Sequence, residues 1–368
     1  MKKALCILLA IVFVFSLAAC QRDDSQTPDG SPDSSPSTPA SPDVSPDVSP
    51  ASPTEGGYAG GEYNLKIATY FSGKQGGGEF AQKFSDKVKE MSDGKIVIDV
   101  YQDSQLGSQS ELAEALTQGT MDFCPNDWPM MDTVLGYSKG AIIGFPFIFK
   151  DWDNVKAFWG NDTFAAMKQE LLDQYGVRCL GMAADGFRQI YSQKPINSVD
   201  DLNGLKIRLP DISVYIETFQ ALGAATTIVP AAELYTSLQN GTVNALERPA
   251  DGMYSNNLYE QTSYVVKTDH IFVDVGLFAS EAVFSKLDAD AQALILAAAD
   301  EVCEEHFEYM RGRDQDSLNK LVTECDQELI ELDTSEMKEI CVSTVWPKFL
   351  EKIDGGQEIV DAIQACAK

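Results

Sequence analysis

The chain has 368 residues, with 56 acidic against 28 basic side chains and a formal net charge of −28. That balance excludes nucleic acid and anionic lipid as partners, because both require a basic surface. It also repels an anionic ligand at long range, so an anion site has to be built locally from basic side chains.

Lys2 and Lys3 precede an apolar run from Ala4 to Leu17, the pattern of a secretory signal. The run is too short for a bilayer core of about 30 Å, which takes roughly 20 apolar residues. It ends in Leu17-Ala18-Ala19-Cys20, which resembles the bacterial lipobox. Residues 1–20 are therefore expected to form a lipoprotein signal, with Cys20 lipidated and the protein held at the outer face of the cell membrane by a lipid anchor alone. An ordinary cleaved signal with an incidental cysteine is the competing reading. Residues 21–61 repeat Ser-Pro-Asp at 31–33, 41–43 and 45–47 and carry almost nothing apolar. Such a segment cannot offset its chain entropy by burial, so a disordered spacer is expected.

The folded part opens with a short strand pattern, Tyr63 to Thr69. Phe80, Phe84, Val88 and Met91 then form one apolar stripe at helical spacing, stopped by Gly94. Lys95 to Tyr101 alternates as a strand. Ser108 and Glu111 match a capping box for a helix ending at Gly119, and Met121 to Phe123 begins another strand. Strands follow at 177–182, 188–192, 206–209, 226–229 and 272–280, with helices near 213–222 and 231–240. From Asp290 to about Leu332 the sequence is almost unbroken helix former. This alternation predicts an α/β fold, and about 300 residues suffice for two lobes.

Six cysteines follow Cys20, at 124, 179, 303, 325, 341 and 366, without CxxC or zinc-type spacing. A Cys325–Cys341 or Cys341–Cys366 bridge and buried free thiols both stay open. The only histidines are His306, expected to be solvated beside Glu304 and Glu305, and His270, expected to pack at a lobe crossing. No GxSxG, HExxH or Walker A sequence occurs, so no enzyme and no cofactor or metal are expected.

Five motifs carry a resemblance when taken together and in order. They are Ser104-Gln105-Leu106-Gly107, Gly144-Phe145-Pro146-Phe147-Ile148-Phe149, Gly186-Phe187-Arg188-Gln189, 204–210 (GLKIRLP) and 233–241 (ELYTSLQNG). The series, spanning 63–368, resembles the DctP-type solute-binding subunits of tripartite ATP-independent periplasmic (TRAP) transporters. The resemblance implies a two-lobed periplasmic-binding-protein-like α/β fold with crossing strands and a long bracing helix. Residues 62–186 plus 273–315 would form one lobe, and 187–272 plus 316–368 the other. It further implies a small organic acid as ligand and TRAP membrane subunits, driven by an ion gradient, as partners.

By the same resemblance, Arg208 binds the ligand carboxylate and Arg188 supports or contacts the ligand. A guanidinium matches a carboxylate bidentately, which explains the residue type; a structural salt bridge to a nearby acid is the alternative for each. Where the family commonly has Asn, this chain has Arg248, expected to bind a second anionic or polar group of the ligand or to share the carboxylate with Arg208; the alternative is that it pairs with Glu247 or Asp251. Tyr70, Asp127 and Trp128 correspond to cleft positions, with Asp127 read as an exposed acceptor and Trp128 as either an apolar wall or core. Asp211 is expected to orient a guanidinium or touch the ligand. Glu233 is included with the ligand-binding set, although its place in a first helical turn also suits a structural role. A ligand-binding subunit of a membrane sensor is the second functional reading.

Overall fold

The computed structural model describes residues 57–367; Cys20, the signal and most of the expected spacer lie outside the described residues. The end of the spacer is tied to the fold: Gly61 N donates to Asp288 Oδ2 at 2.7 Å, and Lys95 Nζ donates to the Tyr58 carbonyl oxygen at 3.1 Å.

The strands in chain order are β1 (Tyr63–Ala68), β2 (Ile96–Tyr101), β3 (Phe123–Asn126), β4 (Val177–Phe187) and β5 (Gln189–Ser192). They continue with β6 (Lys206–Leu209), β7 (Ala225–Ile228), β8 (Ala245–Arg248), β9 (Tyr264–Lys267), β10 (Phe272–Ser280) and β11 (Glu328–Glu331). One sheet has the order β2-β1-β3-β10-β4, and the other β11-β9-β5-β8-β6-β7. In the first, β1 is parallel to β2 and β3, while β10 runs antiparallel to β3 and β4. In the second, β6 is parallel to both β7 and β8. All nine residues of β10 are buried, which accounts for its almost wholly apolar sequence.

The chain passes between the sheets within a few residues. β4 ends at Phe187, Arg188 makes the step, and β5 begins at Gln189; the return runs from Lys267 to Phe272. The two crossings are laced together. Arg188 N donates to the Ile271 carbonyl oxygen at 2.8 Å, and Thr268 N donates to Gln189 Oε1 at 2.8 Å.

A 35-residue helix, Ala289–Thr323, makes the third connection. At 1.5 Å per residue it is about 52 Å long, more than one lobe needs. Ala291, Ile295 and Val302 on its first half enter the core of the first sheet, and Leu318 and Leu321 near its end enter a core of the second. Its N-terminus is capped by Asp288, whose side chain accepts from Ala291 N at 2.8 Å. The capping box of Ser108 and Glu111 is present as read.

The helix ends earlier than its composition suggests. Asp326 adopts a left-handed conformation (φ 54°), and Glu328–Glu331 becomes a strand parallel to β9. Tertiary hydrogen bonds override helix propensity here: Gln327 Nε2 donates to the carbonyl oxygens of Tyr259 (3.1 Å) and Thr262 (2.9 Å). The segment expected to close the second lobe touches both cores. Met337 and Cys341 pack with the second sheet, whereas Trp346, Ile359 and Ile363 pack with residues of the first.

One histidine differs from its sequence reading. His306 is fully buried, not solvated, because it lies on the helix stripe shared with Cys303 and Met310 that faces the 76–91 helix. Its ring sits 4.9 Å from that of Phe80, and burial lowers its pKa to about 3. The six described cysteines are all free, so neither candidate bridge forms.

Candidate functional site

The carboxyl ends of parallel strands from both sheets face one cleft, the place where open α/β sheets bind ligands. Tyr70 follows β1, Asp127 follows β3, Arg208 lies near the end of β6, Val229 follows β7 and Arg248 ends β8; all five line it. The cavity is about 910 Å³, its open mouth included.

Arg208 is 6 % exposed. Its Nε donates to the Val229 carbonyl oxygen at 2.8 Å, which fixes the plane of the guanidinium. Among the described residues no carboxylate pairs with it, and no hydrogen bond reaches Nη1 or Nη2. Burial, and then the charge of Arg188, lower its pKa to about 9, so it remains cationic at neutral pH. The salt-bridge alternative is not what the fold adopts.

Arg188 is the opposite case. Its Nη2 donates to Glu247 Oε1 at 2.7 Å and to the Glu247 carbonyl oxygen at 2.7 Å, and its Nε meets Glu247 Oε2. The guanidinium lies 4.9 Å from the centre of the Tyr215 ring. Burial alone would lower its pKa, yet the Glu247 carboxylate holds it above the ordinary value. Glu247 is completely buried and also meets His270 Nε2 at 3.3 Å, while His270 Nδ1 meets Thr268 Oγ1 at 2.8 Å. His270 thus packs at the return crossing, beneath an arginine whose charge is already matched.

Arg248 pairs with neither Glu247 nor Asp251. Its Nη2 donates to Gln75 Oε1 at 2.9 Å, and its Nε is buried without a partner among the described residues. The group lies flat on Gly252, where any side chain would overlap it. Asp251 instead accepts from Arg313 Nε at 2.7 Å.

Asp127 is 2 % exposed, not an exposed acceptor. It accepts from the Tyr70 hydroxyl at 2.9 Å, and burial raises its pKa to about 6 against the opposing pull of Arg188. Trp128 is core and not wall: it is fully buried, with its ring 5.0 Å from Phe164 and 5.7 Å from Phe278. Helical geometry explains this, since Trp128 opens the helix whose N-cap position Asp127 occupies, and Trp128 is not among the cleft-lining residues. Asp211 lines the cleft and is exposed. Glu233 is exposed at a helix start and outside the cleft lining, which fits the structural reading.

Sequence reasoning missed Gln75 and Asp185. Gln75 precedes the 76–91 helix and is 2 % exposed; its Nε2 donates to Asp185 Oδ2 at 2.9 Å. Asp185 is equally buried within β4. An acid inside the apolar run before Gly186 was the available signal for Asp185; Gln75 had none. Among the described residues no group of three or more His, Cys, Asp or Glu side chains could hold a metal, and no helix is long and apolar enough to cross a membrane.

The model of the DctP family, bacterial extracellular solute-binding protein family 7, matches residues 67–352. A solute-binding protein of Roseobacter denitrificans is 29 % identical over 60 % of this chain and 66 % of its own length. The sialic acid-binding periplasmic protein of Vibrio cholerae is 26 % identical over 64 % of this chain and 72 % of its own. A crystal structure of a TRAP periplasmic solute-binding protein from a Sulfitobacter species, with bound α-D-taluronate, superposes with a TM-score of 0.75 at 26 % identity. The match covers 82 % of this chain and 97 % of that one.

Proposed function

The chain belongs to the bacterial extracellular solute-binding proteins of family 7, and from that premise we propose that it captures a small organic carboxylate on Arg208 and delivers it to TRAP-type membrane subunits. The observation that carries this reading is the difference between the two buried guanidiniums. Arg188 is neutralised by Glu247, whereas Arg208 is buried, charged and without a counter-ion among the described residues. A buried charge left unpaired costs several kcal/mol, and a carboxylate on both terminal nitrogens removes that cost.

Capture proceeds by closure of two lobes about the crossings at 187–189 and 267–272, with the boundaries given above and the 346–367 segment spanning back to the first lobe. Closure lowers the local dielectric and strengthens the Arg208–carboxylate pair. Arg188, fixed and neutralised by Glu247, acts as a rigid wall beside it. Cys20, lipidated, tethers the binding unit at the outer face of the cell membrane through the linker at 21–61. The acidic surface keeps the unit off anionic lipid, which suits a protein that must leave the surface to sample solute.

A thermal-shift screen of sugar acids, keto acids and dicarboxylates identifies the ligand class, since binding only to the native state raises apparent stability. With a hit in hand, calorimetry on Arg208→Ala and Arg208→Lys is expected to show no measurable binding and a loss of about 100-fold or more, because lysine lacks the fork. Tight binding retained by Arg208→Lys would remove the bidentate pair from the mechanism. Small-angle scattering with and without ligand is expected to show a smaller radius of gyration when bound; an unchanged radius argues against closure.

A further inference from the structure

Three other residues lining the cleft, Gln75, Asp185 and Arg248, are arranged for a different kind of ligand group. Gln75 sets its amide between two charged side chains, donating from Nε2 to Asp185 Oδ2 and accepting at Oε1 from Arg248 Nη2, each at 2.9 Å. The second oxygen of Asp185 is buried and has no hydrogen-bond partner among the described residues. Asp127 lines the same cleft, and its charge acts on Asp185. Arg248, the residue expected to receive a second anion, is held by Gln75 and lies in the field of both Asp185 and Asp251. A second ligand carboxylate brought there meets Asp185 as well as Arg248. An O–H or N–H group instead supplies the donor that the free Asp185 oxygen lacks.

We propose, resting on the carboxylate reading above, that Asp185 and Asp127 form a donor-recognising subsite, so that the cleft prefers a monocarboxylate rich in hydroxyl or amino groups over a dicarboxylate. Arg248 and Gln75 position Asp185 and do not themselves receive an anion. Burial raises Asp127 to about 6 and Asp185 to about 7, as expected of acids whose charge is under-compensated until a donor arrives. Selectivity then follows from the rule that a site built to bond a substrate O–H or N–H rejects an analogue lacking it far more strongly than it rejects a missing methylene.

The test is calorimetry of the full chain against four panels: aldonates and uronates, zwitterionic amino acids, C4–C6 dicarboxylates, and unsubstituted C4–C6 monocarboxylates. The tightest ligand is expected in one of the first two panels, and which of them supplies it separates hydroxyl from ammonium donors. Asp185→Asn is expected to weaken that ligand about tenfold or more, with Asp127→Asn as a second variant should Asp185→Asn fold poorly. A tightest ligand from the dicarboxylate or unsubstituted panel that still depends on Arg208 overturns the subsite and leaves the carboxylate reading standing. So does a donor-rich acid bound equally by wild type and both variants. Binding in any panel that survives Arg208→Ala, or none at all, overturns the carboxylate reading and the subsite with it.

Discussion

Arg208 and Arg188 carry the same group into the same cleft, and their neighbours give them different physical roles. Arg188 and Glu247 form a buried, bidentate pair braced by His270. Glu247→Gln removes the carboxylate paired with Arg188 while leaving the guanidinium buried, so it is expected to destabilise the fold by about 3–5 kcal/mol, read as a fall in urea midpoint. Arg208→Met removes a buried charge that has no counter-ion among the described residues, so the same measurement is expected to show no loss of stability even though binding is lost. Equal destabilisation by both variants would contradict the division of roles. Arg208 was legible from its motif and strand-end position. The pairing of Arg188 was not, because Glu247 lies 59 residues away in sequence and only the antiparallel register of Gln189 with Arg248 brings the two together.

The bracing helix is the element on which composition and structure agree most and least. Residues 290–323 of it follow from an almost unbroken run of helix formers, while its end is set by contacts of Gln327 with the 259–262 segment. Gly312 lies inside this helix, exposed, with open space where a Cβ would stand. Gly312→Ala is therefore expected to stabilise the protein by about 0.5–1 kcal/mol, seen as a higher melting temperature with unchanged ligand affinity. A drop in affinity at higher stability would mean that bending at this glycine takes part in closure. The helix also explains why His306 was misread. Flanking glutamates suggest a solvated face, but the stripe through Cys303, His306 and Met310 is the one that beds on the 76–91 helix.

For the whole molecule, the burial of acids in the cleft makes stability depend on pH. Asp185 is raised from 3.8 to about 7, so the folded state holds a proton that the unfolded state releases above about pH 4. Stability from this group is present at low pH and lost as pH rises towards 7, by a few kcal/mol at most. Glu247, which its partners hold below the usual range, works the other way and loses stability on acidification. The clean observable is the difference between wild type and Asp185→Asn: the variant is expected to gain relative stability between pH 4 and pH 7 and to flatten beyond. A difference that does not change with pH would mean Asp185 is ionised throughout.

What the sequence alone determined is what local chemistry determines: the α/β alternation, the apolar central strand at 272–280, the capping box at Ser108, the family, and the motif that carries Arg208. Tertiary structure decided which charges meet. It joined Arg188 to Glu247, left Arg208 without a counter-ion among the described residues, set Gln75 between Asp185 and Arg248, and buried Trp128 and His306. Periodicity and motifs report on neighbours along the chain. Counter-charges and burial are set by strand register and lobe packing between residues far apart in sequence, where no local pattern records them.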